Sequence, residues 1–100
     1  MSYKLKFLPS ALKEWSKLGD TIREQFKKKL AERLEVPEVA SDRLRGFKNH
    51  YKIKLISSGY RLVYEVENEE VTVYVITVGK REKDFVYKVA QKRRRERGDS

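Results

Sequence analysis

The stretch Tyr51–Tyr64, with the sequence YKIKLISSGYRLVY, constrains the fold of this chain more than any other part. Apolar and cationic residues alternate on both sides of Ser57–Gly59, and a period of two residues is typical of a half-buried strand. Serine and glycine favour a tight turn, because glycine accepts a positive φ and serine bonds the nearby backbone. The stretch therefore predicts a β-hairpin that has one apolar face and three cations on the other face: Lys52, Lys54 and Arg61.

The patterns on either side of this hairpin predict an α+β fold with the order β-α-α-β-β-β-α. Tyr3–Phe7 alternates as a strand, and two amphipathic helices follow between Pro9 and Pro37. Val71–Val78 is rich in β-branched residues and apolar on both faces, which indicates a central strand. A last helix is predicted from Glu82. We expect a two-layer fold with a mostly antiparallel sheet, a helical hairpin on one face and a C-terminal helix.

Composition limits the choice of partner and compartment. One domain is expected over residues 1–100, with a basic, partly frayed tail over about 91–100. The 24 Lys and Arg residues against 15 Asp and Glu residues give a formal net charge of +9, which favours RNA, DNA, an acidic protein or an anionic membrane face as partner. There is no cysteine, no secretory segment at the start and no apolar run of the roughly 20 residues that a membrane helix needs. We therefore expect a cytoplasmic protein.

Most familiar enzyme signatures are missing from the sequence. It contains no P-loop, no GxGxxG and no HExxH motif, and its single histidine, His50, is expected in an exposed loop. The carboxylates are scattered among cations, so neither a metal site nor a cofactor is predicted. What remains is a set of cations with one tyrosine, namely Arg45, Lys52, Lys54, Arg61, Lys80, Arg81 and Tyr87.

That set suits RNA cleavage without a metal ion, because the ribose 2′-OH can attack the adjacent phosphate. The protein must then take the 2′-OH proton, stabilise the phosphorane and protonate the 5′-oxygen. Arginine matches two phosphoryl oxygens, lysine can act as a base where like charges lower its pKa, and tyrosine can stack on a nucleobase. The plainer interpretations are a solvated Lys/Arg face, an ordinary surface tyrosine at Tyr87, and a soluble tail or nonspecific RNA contact at Arg93–Arg95.

Five motifs together resemble the RelE toxins, the toxin halves of bacterial toxin–antitoxin pairs. They are ALKEWSKLG at 11–19, LRG at 44–46, YKIKL at 51–55, SSGYRLVY at 57–64 and VGKRE at 78–82. The resemblance extends from about Tyr3 to Val89, nearly the whole chain, and the motifs are specific in combination. The basic extension over 92–97 is longer than the family pattern leads us to expect.

The resemblance implies a ribosome-dependent mRNA interferase, which cuts mRNA in the ribosomal A site with the 2′-OH as nucleophile and no metal. It implies that Lys52 and Lys54 are the catalytic lysines and that Arg61 stabilises the transition state. Arg81 then serves as general acid or phosphate ligand, Tyr87 orients and stacks, and Arg45 contacts the substrate. Further RNA contacts are expected at the basic residues Lys80, Arg23, Lys27 and Lys28.

The implied partners are the 70S ribosome with its mRNA and a RelB-like antitoxin. Operator DNA is expected only through the complex with the antitoxin. Two other functions stay open: a ParE-like toxin that poisons DNA gyrase by protein contact, and an RNA-binding module without chemistry. The first generally lacks this set of cations with tyrosine, and the second predicts that each cation contributes similarly to affinity.

Overall fold

The secondary structure follows the predicted order of strands and helices. The structure is a computed structural model, and it describes residues 2–80 and 85–96. A 3₁₀ turn at Ala40–Asp42 precedes the hairpin. The main elements are β1 Lys4–Phe7, α1 Pro9–Ser16, α2 Asp20–Glu35, β2 His50–Leu55, β3 Tyr60–Glu67, β4 Thr72–Lys80 and α3 Phe85–Glu96.

The four strands form one mixed sheet in the order β1-β4-β3-β2. The strands β2, β3 and β4 are antiparallel neighbours, as short turns between them require. The strand β1 lies parallel to β4, because the chain crosses over through α1 and α2 before it returns to the sheet. The prediction that β4 is a central strand is confirmed, since it pairs with β1 on one side and β3 on the other.

The helical hairpin covers one face of the sheet, which we call the helix face. Phe26 and Leu30 of α2 are buried there against the apolar side of the β2–β3 hairpin, including Ile53 and Tyr64. Trp15 of α1 packs against the same core, with its ring 6.3 Å from that of Phe26. Leucine and phenylalanine recur every four residues along α2, so a single stripe of this helix is apolar, and the sheet receives that stripe.

The other face of the sheet is only partly covered, and α3 forms the cover. Ala90 of α3 packs with Val63, Ile76 and Leu44 in a second, smaller core. The remainder of this face lies beside the 43–48 loop and carries the hairpin cations described below. No helix within residues 2–80 and 85–96 combines the length and apolar character that crossing a membrane requires.

A half-buried arginine, Arg33, joins α2 to the edge strand β2. Arg33 donates hydrogen bonds to the Lys52 carbonyl at 3.1 Å, the Tyr64 hydroxyl at 2.8 Å and the Asp42 carboxylate at 2.5 Å. Burial lowers the pKa of Arg33, but Tyr64 and Asp42 outweigh it and raise the pKa overall. Burial raises the pKa of Tyr64, although Arg33 opposes the shift, so this hydroxyl stays a donor and bonds the Pro37 carbonyl at 2.6 Å.

One local prediction is wrong. His50 is fully buried rather than exposed, because it begins β2, its ring lies 5.2 Å from that of Phe47, and its Nδ1 donates to the Lys48 carbonyl at 2.7 Å. The basic, partly frayed tail predicted over about 91–100 stays a prediction. The helix α3 extends to Glu96, and residues 97–100 lie outside the described part of the chain.

Candidate active-site cleft

A cleft opens on the partly covered face, and we call it the cation cleft. Its volume is about 340 Å³. It lies between the β2–β3 hairpin, the 43–48 loop and α3, and it gathers residues that are far apart in sequence. Its lining consists of four cations and three apolar or aromatic residues, namely Arg45, Lys52, Lys54, Arg61, Leu44, Phe47 and Tyr87.

The strand register places the hairpin cations side by side. Lys54 lies directly opposite Arg61, and such cross-strand neighbours have Cβ atoms about 5 Å apart. Lys52 is two residues before Lys54 on the same strand and therefore points to the same face. On the other side of Arg61 the register places Gly79, which adds no side chain to this face. The predicted cluster of three cations on one face is confirmed, and the sheet holds it rigidly.

The 43–48 loop supplies the second wall of the cleft. Arg43 forms a bridge with Tyr51, and the Leu44 N–H bonds the His50 carbonyl at 2.9 Å, so the start of this loop is fastened to β2. Gly46 then turns the chain with a φ of +83°, a conformation that glycine adopts without a steric penalty. The turn exposes the Arg45 side chain at the cleft and leaves the Phe47 ring half-buried.

The helix α3 supplies Tyr87. This tyrosine is half-buried, packs against the core of Val63 and Ala90, and reaches the cleft wall, so it is not an ordinary surface residue. The structure thus brings Tyr87 together with four of the predicted cations. Arg81, predicted as general acid or phosphate ligand, lies outside the described residues.

No carboxylate of the described residues, 2–80 and 85–96, forms an ion pair with the cations of the cleft. Over residues 2–80 and 85–96, no hydrogen bond or ion pair engages the side chains of Lys52, Lys54, Arg61 or Arg45. The Arg61 Nε is buried and lacks an acceptor in that part of the chain. Unpaired charge in a cleft is costly to the fold and is typical of a site that binds a ligand of opposite charge. The same residues contain no group of three or more His, Cys, Asp or Glu that could hold a metal ion.

Comparison with known proteins identifies the family of this chain. Residues 5–85 match the family model described as the ParE toxin of the type II toxin–antitoxin system parDE. The chain is 60% identical over 93 residues to the mRNA interferase toxin RelE of Escherichia coli K12, covering 93% of this chain and 98% of that protein. The chain belongs to the RelE family of toxins. The resemblance inferred from the five motifs is confirmed.

Solved structures of RelE proteins share the fold. A doubly substituted E. coli RelE toxin in the free state superposes with a TM-score of 0.87 at 59% identity, covering 93% of this chain and 98% of that chain. The toxin in the intact E. coli RelBE toxin–antitoxin complex gives a TM-score of 0.80 at 60% identity, over 82% of this chain and all of that chain. The α+β fold and its order of elements are thus confirmed.

The remaining predicted RNA contacts of this RelE-family chain lie away from the cation cleft. Lys80 pairs with Tyr60 at the end of β4, on the helix face. Arg23 forms an ion pair with Asp20 on α2, and Lys27 lies 3.4 Å from Glu24 on the same helix. These three cations are not brought together with the catalytic candidates.

Lys28 differs from its neighbours on α2. It lines a separate groove of about 590 Å³ between α2 and the β2–β3 turn, and this groove also contains Lys29 and Lys54. Because Lys54 lines both cavities, the groove adjoins the cation cleft at that residue. Lys28 is therefore the predicted α2 contact that lies nearest to the candidate active site.

Sequence reasoning missed an ion pair between α1 and α3. Arg93, predicted to be a soluble tail or a nonspecific RNA contact, instead donates to both carboxylate oxygens of Glu14, at 2.7 and 3.2 Å. The side chain of Arg93 is only 15% exposed. The two residues are 79 positions apart, and no local pattern marks either of them as a partner of the other. Sequence reasoning also did not predict that Leu44 and Phe47 line the cleft, because the segment before the hairpin has no regular pattern.

Proposed function

We propose that this chain is a ribosome-dependent endoribonuclease toxin that cleaves mRNA in the ribosomal A site and so inhibits translation. The observation that carries the proposal is the cation cleft, where Lys52, Lys54 and Arg61 lie side by side and Tyr87 lines the same cavity. No anion of the described residues, 2–80 and 85–96, pairs with these cations. A phosphodiester fits such a site, because it supplies a negative charge that accepts hydrogen bonds from lysine and arginine. The support from comparison is the 60% identity to a protein named as an mRNA interferase.

The reaction that suits these groups is an internal transfer. The ribose 2′-oxygen attacks the adjacent phosphorus, the bond from phosphorus to the 5′-oxygen breaks, and the products are a 2′,3′-cyclic phosphate and a free 5′-hydroxyl. The 2′-OH proton passes to a base, for which Lys52 and Lys54 are the candidates. The departing 5′-oxygen takes a proton from an acid, for which Arg81 is the candidate. The substrate supplies the nucleophile, so the proposed reaction uses no metal ion or cofactor.

The other residues of the cleft stabilise the negative charge of the phosphorane and position the RNA strand. Arg61 faces the phosphate with a planar fork that can bond two phosphoryl oxygens as negative charge grows on the phosphorane. Tyr87 offers a ring on which a nucleobase can stack, and such stacking holds the attacking oxygen in line with the leaving group. Arg45 on the loop is placed to contact the strand beside the scissile phosphate.

Dependence on the ribosome follows from the openness of this cleft. The cations can attract any RNA backbone. The described residues that line the cleft offer charge and a ring, but they do not enclose a flexible strand and bend it into the in-line geometry that the attack needs. The ribosome would supply a strand already bent in its A site. Lys28, beside the groove that adjoins the cleft, is placed to contact ribosomal RNA at the same time.

The proposed partners also include a RelB-like antitoxin. The related E. coli toxin has been solved in complex with RelB, and the toxin in that complex shares the fold of this chain. A net charge of +9 favours an acidic or amphipathic partner segment that wraps the surface. We expect operator DNA to be bound only through that complex, and we place the toxin in the cytoplasm with the ribosome.

The decisive experiment is cleavage of mRNA on ribosomes with an empty A site. We expect a cut inside the A-site codon with the wild-type protein and no cut without ribosomes. Arg61→Ala should lower the cleavage rate by about 10²- to 10³-fold, as the loss of one donor to a developing oxyanion typically does, with ribosome binding largely retained. Arg81→Ala serves as a second test, and Lys4→Ala removes an exposed cation from β1 as the matched control.

Two outcomes would favour the other functions. If Arg61→Ala and Arg81→Ala lose binding and cleavage in parallel, the catalytic assignment of these two arginines is wrong. If the folded wild-type protein binds ribosomes but makes no cut, the chain is an RNA-binding module. If the folded wild-type protein binds no ribosome but inhibits DNA gyrase, the ParE-like alternative is correct; the description of the matched family model is the observation that favours this second candidate.

A further inference from the structure

A short segment of β4 pairs with β3 on one side but lacks a neighbouring strand on the side of β1. The strand β1 pairs with β4 only as far as Val75, and β4 continues to Lys80. Just beyond Val75 the register between β3 and β4 shifts by one residue, so Ile76 is an extra residue in β4. Such a β-bulge interrupts the ladder and changes the direction of nearby side chains. The bulge lies between the row that contains Tyr64 and the rows that carry Lys52 and Arg61.

Two charged side chains occupy the place of the missing strand. Arg93 of α3 donates to the Ile76 carbonyl at 3.1 Å, and Glu14 of α1 accepts the Val78 N–H at 3.3 Å and the Thr77 hydroxyl at 2.9 Å. The guanidinium of Arg93 also donates twice to the same carboxylate. We call this arrangement the Glu14–Arg93 clamp. It joins α1, the bulge of β4 and α3 at one point.

One residue of the clamp, Arg93, lies on the same short helix as Tyr87. Tyr87 and Arg93 are six residues apart on α3, and Ala90 between them packs against the sheet. Lys88, Gln91 and Lys92 are exposed. The bidentate pair is the strongest polar attachment of α3 among the described residues, because charge-assisted hydrogen bonds with two donors fix both distance and orientation.

We propose that the Glu14–Arg93 clamp positions Tyr87 in the cation cleft, and that Arg93 is a positioning residue for RNA cleavage rather than a contact to RNA. The inference rests on the proposed function. The clamp holds α3 against the bulge, and the position of α3 sets the distance from the Tyr87 ring to Lys52, Lys54 and Arg61. The basic run at the end of the chain thus contains one arginine whose role is internal.

The test combines kinetics with a double-mutant cycle. Arg93→Ala should lower the single-turnover rate on saturated ribosomes by on the order of 10²-fold, as displacement of a substrate-positioning group by about 1 Å can do. The concentration for half-maximal rate should change little, since the clamp makes no contact with RNA. Glu14→Gln should also lower the rate, by a smaller factor, and leave the half-maximal concentration little changed. Arg93→Lys should retain more of the rate than Arg93→Ala. Lys88→Ala, an exposed cation on the same helix, should match the wild type.

The cycle separates positioning from a general loss of structure. The double variant Tyr87→Ala/Arg93→Ala should be no slower than Tyr87→Ala alone, because the clamp acts through that ring. Additive losses, or a large change in half-maximal concentration with an unchanged maximal rate, would overturn the proposal.

Amide hydrogen exchange gives a readout that does not depend on cleavage. The amides of α3 should exchange faster in Arg93→Ala than in the wild type, whereas those of α2 should be unchanged. If the wild-type protein does not cut RNA, the proposed function fails, and the α3 exchange still decides whether the clamp exists. Unchanged α3 exchange in Arg93→Ala would show that the clamp does not hold this helix.

Discussion

The two faces of the sheet use their polar groups in opposite ways. On the helix face the buried Tyr64 hydroxyl bonds both Arg33 and the Pro37 carbonyl, and Arg33 is in turn paired with Asp42. On the cleft face, within the described residues, Lys52 and Arg61 have side-chain charges and no anion beside them. The helix face thus pairs Arg33 and Tyr64 within the protein, whereas the hairpin cations of the cleft face have no partner among the described residues.

This difference leads us to expect that stability and activity depend on opposite faces of the same sheet. The same two strands, β2 and β3, contribute alternate residues to both faces, so each strand carries a core residue beside a candidate catalytic residue. Ile53 is fully buried in the core, while its neighbours Lys52 and Lys54 line the cleft. We therefore expect substitutions on one face to change the free energy of unfolding and those on the other to change the cleavage rate.

The largest expected effect is the loss of unfolding free energy when the core on the helix face is disrupted. Phe26→Ala removes a fully buried ring between α2 and the sheet and should lower the free energy of unfolding by about 3–5 kcal/mol. Urea denaturation followed by circular dichroism measures the change. The cleavage rate per folded molecule should stay the same. A stable Phe26→Ala protein with a lost cleavage rate would contradict the separation of the two faces.

A substitution on the cleft face should have an intermediate effect, and this effect should be on the cleavage rate. Lys54→Met should lower the cleavage rate on programmed ribosomes by on the order of 10²-fold if this lysine takes part in proton transfer. The free energy of unfolding should stay within about 0.5 kcal/mol, because the side chain is exposed and has no partner among the described residues. Lys4→Met on β1 is the control. An equal loss of rate in both variants would show that net charge, not the cleft, sets the rate.

The smallest effect sharpens the comparison by removing one polar atom from the helix face. Tyr64→Phe deletes the hydroxyl and leaves the Pro37 carbonyl without its donor, which should cost about 1–2 kcal/mol of unfolding free energy. Because burial raises the pKa of Tyr64 above its usual 10.0, the wild-type protein holds this contribution below pH 10 and loses it as the pH rises through the folded-state pKa. The alkaline loss should be smaller in Tyr64→Phe, as denaturation at pH 9 and pH 11 would measure.

The hairpin and its cations were predictable because they depend on a local rule. Alternation along Tyr51–Tyr64 assigns each side chain to a face, and the short turn between the strands fixes which residues are opposite. The same rule identified β4 as a central strand. Tyr87 entered the candidate set by residue type, and the motif resemblance gave it the role of orienting and stacking. Its place in the cleft follows from no periodicity, because it lies outside the apolar stripe of its helix.

The features that sequence reasoning missed depend on contacts between distant segments. His50 is buried because a loop folds back over it, and Arg93 is internal because β1 ends before β4 does. Neither event leaves a local pattern, since a histidine near a turn and an arginine in a basic run look solvated in sequence. The one-residue bulge at Ile76 also leaves no sign in the sequence, because β4 is apolar on both faces and its pattern is the same before and after a shift of one residue.

The parallel pairing of β1 with β4 also sets the order in which the fold can be completed during synthesis. Lys4 pairs with Thr72, so the first strand to be synthesised has no partner strand until the last strand has been made. The hairpin that carries Lys52, Lys54 and Arg61 can form earlier, whereas Tyr87 and Arg93 are synthesised later still. A chain that ends before Thr72 therefore lacks both the strand that completes the sheet and the helix that supplies a wall of the cation cleft.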